Sequence, residues 1–303
     1  MTRVGRDESL RLLEAAFDAG LTHYDVARSY GYGEAESALG DFLARRRDEV
    51  TVTTKLGLEP PPRSRGLAFA KLAARKTVAA APPLRRLARR GAAHLVKSGR
   101  FAVADARLSL EASLRELRTD YVDLLLLHEC RPEDLSEELL EFLRSSVRAG
   151  RVRAFGIATQ VGASRAIVAG SPEFARVVQV GNSVTAAAVD SAPELWRSGV
   201  ITHSALEGLD AVHRHVTESG DRASRWSSAV GADCSDRGVL ASLMLSWACF
   251  ANATGVVLFS SRHTANIRAN AAIDLSQPRN EQAARLAGLV QKDVAAASSG
   301  PGT

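Results

Sequence analysis

Four residues in the first half of the chain could together move a proton: Asp25, Tyr30, Lys55 and His128. Asp25 closes the segment LTHYD, Lys55 closes TVTTK and His128 closes YVDLLLLH, while Tyr30 lies in the loop just after Asp25. Each alone has a plainer reading. A strand-end Asp is commonly a turn or cap residue. A lone Lys after Thr-Val-Thr-Thr suits a solvated strand end, and a His after four leucines suits a hydrogen-bonded core position. The joint pattern is what points to chemistry: an acid, a base and a phenol with a common topology, the parts of a general acid–base site.

The elements that must position them alternate. Residues 7–20 carry apolar positions at helical spacing and stop at Gly20, and 21–25 read as a short strand. The same logic gives a helix at 33–50, a strand at 51–55, a helix at 105–118 and a strand at 121–128. Helices near 135–149 and 163–170 separate strands at 153–159 and 177–183; a strand at 200–206 precedes helices near 207–218 and 236–251. A last strand at 255–261 leads to helices at 264–273 and 278–296, and 297–303 read as a frayed tail. Strands separated by helices imply a parallel sheet covered on both faces.

Two such folds compete. A doubly wound fold wants G-x-G-x-x-G after its first strand. The nearest match, Gly31-Tyr32-Gly33-Glu34-Ala35-Glu36, ends in glutamate and begins well after the strand, which fits a flexible loop before a helix. A (β/α)8 barrel instead places reactive residues at the C-terminal ends of several strands. Asp25, Lys55 and His128 do this, so an α/β barrel of the TIM type is expected, although only seven strands are clear.

The bulk numbers are compatible. The chain has 303 residues, 46% of them apolar, enough for one large core domain spanning 1–303. No apolar run reaches the 18 residues of a spanning helix, and the N-terminus lacks the apolar region of a signal peptide. Three cysteines, Cys130, Cys234 and Cys249, give neither a disulfide framework nor a zinc pattern, so no metal is expected and a cytoplasmic location fits best. The net charge of +5 is uneven: 60–104 holds eleven Lys/Arg and no acid.

In order along the chain, DVARSYGYGEAESALG (25–40), TVTTKLG (51–57), SLEASLRELRTDYVDLLLLH (109–128), GRVRAFGIAT (150–159), VVQVGNS (177–183), HSAL (203–206) and VVLFSSRHTANIRANAAI (256–273) resemble successive blocks of the aldo-keto reductase superfamily. The resemblance covers roughly 7–275, apart from an insertion. It implies an NADPH-dependent oxidoreductase that reduces an aldehyde or ketone, or runs in reverse. Tyr30 would be the general acid, Lys55 would favour its ionised form, Asp25 would hold Lys55, and His128 would orient the carbonyl oxygen. Bringing a phenol of pKa about 10 to work near neutrality asks for a drop of roughly 3 pH units, about 4 kcal/mol.

For the cofactor, NADPH/NADP+, a bottom-up argument exists as well. Barrels often hold phosphate with the loops after the last strands and a helix N-terminus. Ser260-Ser261-Arg262 stand there, although a Ser-rich turn capping a helix is the plainer reading. The resemblance implies that Ser261, Arg262, Asn266 and Asn270 contact the adenosine end, with the 2′-phosphate favouring NADPH over NADH. It implies that Gln179 and Thr159 hold the carboxamide, that His203 stands where an aromatic stacks on the nicotinamide, and that Ser204 and Leu206 face the pyrophosphate. The partners implied are a small carbonyl or alcohol substrate and no membrane; nothing sets the oligomeric state.

The departures are specific. Thr159 follows Ala158 where Ser-Asn is usual, His203 is a smaller ring, and Ala269 replaces an acid near the adenine. Only residues 1–6 stand where the first barrel strand belongs. Three explanations compete: a start internal to a longer protein, a barrel open at that edge, or pairing by MTRVGR itself. The basic insertion, about 58–104, leaves the strand that carries Lys55. It could be a solvated helical excursion, a lid over the pocket or a surface for an anionic partner; no aromatic interleaving supports single-strand nucleic-acid binding. His23, Trp196, Trp226, Trp247 and Cys130 read as packing residues, with Trp226 able to approach the pocket from a 207–236 loop. Besides the enzyme, two other functions remain open: a cofactor-binding sensor or partner subunit, and an adaptor using 58–104.

Overall fold

The computed structural model describes residues 5–60 and 99–298. They form two compact units: one of the residues up to Leu10 with His23–Ala154, the other of Arg11–Thr22 with Phe155 onward. Residues 1–4, most of the 58–104 insertion and the tail from 299 lie outside the described residues.

Helix α1 (Arg6–Asp18) opens the chain. Arg6 is therefore helical, bonded to Asp41, and does not continue a first strand. The first unit then holds β1 (His23–Asp25), α2 (Ala35–Leu43), β2 (Thr51–Leu56), α3 (Val103–Leu117), β3 (Val122–His128) and α4 (Glu137–Arg148). β1 pairs with β2 and β2 with β3, all parallel, with Tyr24 opposite Val52 and Lys55 opposite Leu126. Leu125, Leu126 and Leu127 are all fully buried, as a strand covered on both faces requires. The single helix expected at 33–50 is broken into two 3-10 turns, Tyr30–Gly33 and Arg47–Glu49, flanking α2. Apolar residues at helical spacing run only through Leu43; the RRRDE that follows buries nothing.

The start of β3 is fixed by a charge cluster. Asp123, nearly buried, accepts from Arg47 at 2.8 Å, from Arg153 at 2.7 Å and from the Val52 N–H at 2.8 Å. Arg47 also donates to Val50 O, Tyr121 O and Thr119 Oγ1, so its guanidinium ties the approach to β2 to the approach to β3. Both guanidinium groups lie over the Tyr121 ring, Arg47 at 3.8 Å and Arg153 at 4.5 Å from its centre.

β4 (Val152–Ala158) runs into the second unit, where its end pairs with β5 (Val177–Gly181). α5 (Val161–Gly170) lies between them, and a single turn α6 (Ala188–Ser191) precedes β6 (Gly199–His203). α7 (Leu209–Thr217), α8 (Gly220–Val230) and α9 (Arg237–Ala251) lead to β7 (Val256–Val257), α10 (Thr264–Ala271) and α11 (Gln277–Ser298). β5–β6 and β6–β7 are parallel too. β7 has two residues against the seven expected at 255–261; Leu258 N still reaches Thr202 O at 2.7 Å, and the chain then turns away. α8 lies where a loop was expected. Its sequence, GDRASRWSSAV, buries only Trp226 and Val230, too few to show a helical stripe. Trp226 and Trp247 pack in one core with Val216, Leu243, Leu286 and Val290, so Trp226 is a packing residue and not a pocket residue.

Asp123 is thus predicted to dominate the local stability of β2 and β3. Asp123→Ala leaves the Arg47 guanidinium, only 12% exposed, without its carboxylate, and should cost about 3 kcal/mol. Arg153→Ala removes a side chain that is 62% exposed and should cost no more than about 1 kcal/mol. Urea unfolding midpoints check the contrast; equal losses would refute it.

Candidate active site

The four expected residues all belong to the first unit, and the ends of β1, β2 and β3 bring them together. Lys55, 1% exposed, is held by the neighbouring strand: Nζ donates to Asp25 Oδ1 at 2.5 Å and to Val26 O at 3.2 Å. The same Nζ stands 5.0 Å from the centre of the Tyr30 ring. Tyr30 starts the 3-10 turn after β1, and its N–H reaches Ala27 O at 3.0 Å. Its ring meets the His128 ring edge-on, 5.8 Å between centres at 81°. Tyr30 keeps 40% of its surface exposed.

The electrostatics differ from expectation at one point. Lys55 was expected to lower the Tyr30 pKa; here the phenol is pushed up. Packing around it is the main cause, followed by the charges of Asp25 and Glu129. The Lys55 charge is already matched by Asp25, so little of it is left to stabilise a phenolate. Burial pushes the ammonium itself down, with Asp25 and then Glu36 opposing.

Several neighbours escape a reading of the motif alone. Glu36, 4% exposed, accepts from Thr54 Oγ1 at 2.6 Å, and burial raises its pKa. The signal for it was present: Glu36, Leu39 and Leu43 share one helical face, so the acid had to be buried. Arg28 joins Glu59 at 3.2 Å and Ser109 O at 3.4 Å. Gly57, just past β2, has φ +109° and lies against Phe101; a Cβ there would fall 2.4 Å from the ring and 3.1 Å from His128 O. The two ends of the insertion are therefore anchored next to His128, with Arg100 N bonded to Gly57 O at 3.4 Å. His23 keeps its packing role: its ring nitrogens bond Thr51 and Thr53 at 2.8 and 3.2 Å, and burial lowers its pKa. Burial lifts the Cys130 thiol to about 12, which makes it inert.

The expected cofactor residues all lie in the second unit. A groove of about 480 Å3 gathers Leu206, Ser261, Asn266 and Asn270, with Ser260, Ser242 and Gly208 beside them. Ser261 also bonds the His263 backbone at 3.1 Å in both directions, so the turn reading and the groove reading hold together. Arg262 is exposed and does not line the groove. Thr159, just past β4, and Gln179, in the middle of β5, are both buried, with Ala158 opposite Gln179 in the ladder. His203 ends β6, exposed, with Nδ1 2.9 Å from Ser204 Oγ; Ser204 takes φ +64°, which turns the chain towards Leu206. Thr159, Gln179, His203 and Ser204 do not line the groove. A shallower cleft of about 450 Å3 between α3 and α4 holds none of the expected residues. Among the described residues no cluster could hold a metal, and no helix is long and apolar enough to cross a membrane.

The model of the Aldo/keto reductase family matches residues 1–290, and the chain belongs to that family. It is similar to a D-threo-aldose 1-dehydrogenase from Pseudomonas sp, 36% identical over 161 residues, which are 51% of this chain and 45% of that protein. A 6-dehydroglucose reductase from Agrobacterium fabrum is 31% identical over 148 residues, 48% of this chain and 41% of that one. The chain thus spans about half the length of the curated relatives it matches. Among solved structures, the glycerol dehydrogenase of Gluconobacter oxydans superposes with a TM-score of 0.67 at 18% identity, over 98% of this chain and 88% of that one. An aldo-keto reductase from Klebsiella pneumoniae in complex with NADPH gives 0.62 at 21% identity, over 94% and 86%. These likenesses show the fold: α/β of the (β/α)8 class, with seven strands among the described residues.

The raised phenol predicts a spectroscopic result. In ultraviolet titration, the wild type minus Tyr30→Phe difference should show phenolate absorbance growing only above the usual pH of about 10. The sign for stability follows. Tyr30 stays neutral in the folded state while the unfolded chain ionises, so its contribution is intact below about pH 10 and is lost as pH rises further. A difference spectrum that appears near neutral pH would show that Lys55 controls the phenol after all.

Proposed function

We propose that the chain is an NADP(H)-dependent oxidoreductase acting on an aldehyde or ketone, or on the matching alcohol, with Tyr30 as general acid or base. The observation that carries this reading is the set Asp25–Lys55–Tyr30–His128, gathered in one unit from three strand ends. The groove of the second unit supports a nucleotide: hydroxyl and carboxamide groups line a volume suited to part of a dinucleotide. Bound there, the cofactor would supply or accept the hydride.

The chain's own residues do the rest. In reduction, Tyr30 Oη gives its proton to the carbonyl oxygen as the carbon gains a hydride; the phenolate recovers a proton from solvent. The raised pKa keeps Tyr30 protonated and suits that direction. His128, edge-on to the phenol, limits where a carbonyl oxygen can sit. Asp25 holds Lys55, and Lys55 sets the face of the ring. The exposed side of Tyr30 admits a substrate. The two named relatives carry sugar names, which makes an aldose or oxidised sugar a sensible first probe beside a simple aryl aldehyde.

Turnover of NADPH with 4-nitrobenzaldehyde and with an aldose tests the reading. Tyr30→Phe should lower kcat by roughly 10²- to 10⁴-fold and leave NADPH affinity unchanged. NADPH binding without any Tyr30-dependent turnover would leave a non-catalytic cofactor-binding protein in its place.

A further inference from the structure

The 3-10 turn that carries Tyr30 is weakly held from within. Two backbone bonds close it, Tyr30 N–H to Ala27 O at 3.0 Å and Glu34 N–H to Gly31 O at 3.3 Å. Its leading residue, Ser29, gives it no side-chain cap, and the Tyr30 ring is half-exposed. The turn is bracketed instead by the chain that leaves β2. Just before it, Arg28 Nη2 meets Glu59 Oε2 at 3.2 Å, while Arg28 Nη1 donates to Ser109 O, on α3, at 3.4 Å. At its end, Gly33 takes φ +87° and lies so near Pro60 that a Cβ there would fall 3.1 Å from the Pro60 Cβ. Two successive residues of one segment, Glu59 and Pro60, thus close on both ends of the turn.

The pair is built to hold position. Its side chains are 17% and 20% exposed, so it is largely withdrawn from water and from screening by salt. The guanidinium fork serves two acceptors on different elements, which fixes its plane as well as its place. The exit of β2 therefore carries both the ammonium that stands beside the phenol and the acid that anchors the phenol's turn. Proton transfer is sensitive to such anchoring, because a misplacement of about 1 Å can cost roughly 10²-fold in rate. We propose that Arg28 and Glu59 are positioning residues for Tyr30: their ion pair, with Pro60 set against Gly33, holds the turn so that the phenol keeps its place beside Lys55 and His128. This rests on the reading of Tyr30 as the general acid.

The test is the single-turnover rate of NADPH oxidation by 4-nitrobenzaldehyde with the full chain, with the melting temperature measured beside it. Glu59→Gln keeps the length of the side chain and removes the charge that holds Arg28. It should slow the turnover about tenfold or more while NADPH affinity stays unchanged. Glu59→Asp keeps the charge, and the long Arg28 side chain can follow it, so the rate should return to within about threefold of wild type. A pair that only stabilised the fold would lower the melting temperature and leave the rate of the folded protein as it was. If Glu59→Gln fails to fold, Arg28→Lys carries the test: it keeps the charge, gives up the fork shared by Glu59 and Ser109 O, and should slow turnover about threefold or more. A folded Glu59→Gln, or in its place Arg28→Lys, that turns over at the wild-type rate overturns the proposal alone. A loss as great in Glu59→Asp as in Glu59→Gln overturns the ion pair as the cause. Wild-type turnover that Tyr30→Phe does not reduce, or none at all, overturns the general-acid reading and the proposal with it.

Discussion

The interaction on which the candidate site of the first unit depends is the ion pair of Lys55 with Asp25. An ammonium that is 1% exposed is costly to desolvate and stays charged only with a close counter-charge. That requirement fixes the register of β1 against β2, because Asp25 must end β1 where Lys55 leaves β2. It also bears on the turn that follows: Val26 gives its carbonyl to Nζ, and four residues later Tyr30 starts a 3-10 turn with its N–H on Ala27 O. The phenol is placed by a chain that has first been made to satisfy a buried cation.

The same pair explains why the phenol is not acidified. A lysine lowers a neighbouring pKa by its net charge at the phenol oxygen, and Asp25 cancels most of that charge at 2.5 Å. Glu129, held at φ +56° straight after His128, adds a further negative charge. The arrangement suits a proton donor better than a proton acceptor. The lysine lies 5.0 Å from the ring centre, while packing and carboxylates, not its charge, set the direction of the phenol's pKa.

Legibility followed from the kind of signal each part leaves. Strand ends were readable because a polar residue that closes an apolar run, as Asp25, Lys55 and His128 do, breaks a pattern visible in one dimension. Glu36 carried a readable sign in the inner face of α2 but stands off the motif, whereas Glu129, a lone acid in a turn, acts only through space. α8 was missed for the opposite reason. Its helix is held by two buried residues among polar ones, and a loop of that composition looks the same. β7 was overlong because VVLFS continues to look like a strand after the backbone has left the ladder at Leu258. The groove lay between these cases. Ser261, Asn266 and Asn270 came from motif position, whereas Asp210 and Arg237, far apart in sequence and off the motif, were invisible until the fold joined them.

That last contrast bears on what the family relationship can specify. The tetrad is set by strand ends, and the strands are held by buried charges such as Asp123 with Arg47, which tolerate little change. The groove is lined by neutral side chains and one exposed ion pair, which can change at small cost to stability. Under the proposed function, the charge along the groove can change without disturbing the Asp25–Lys55–Tyr30–His128 set. His203, Thr159 and Ala269, the cofactor positions at which this sequence leaves the family pattern, all lie in the second unit.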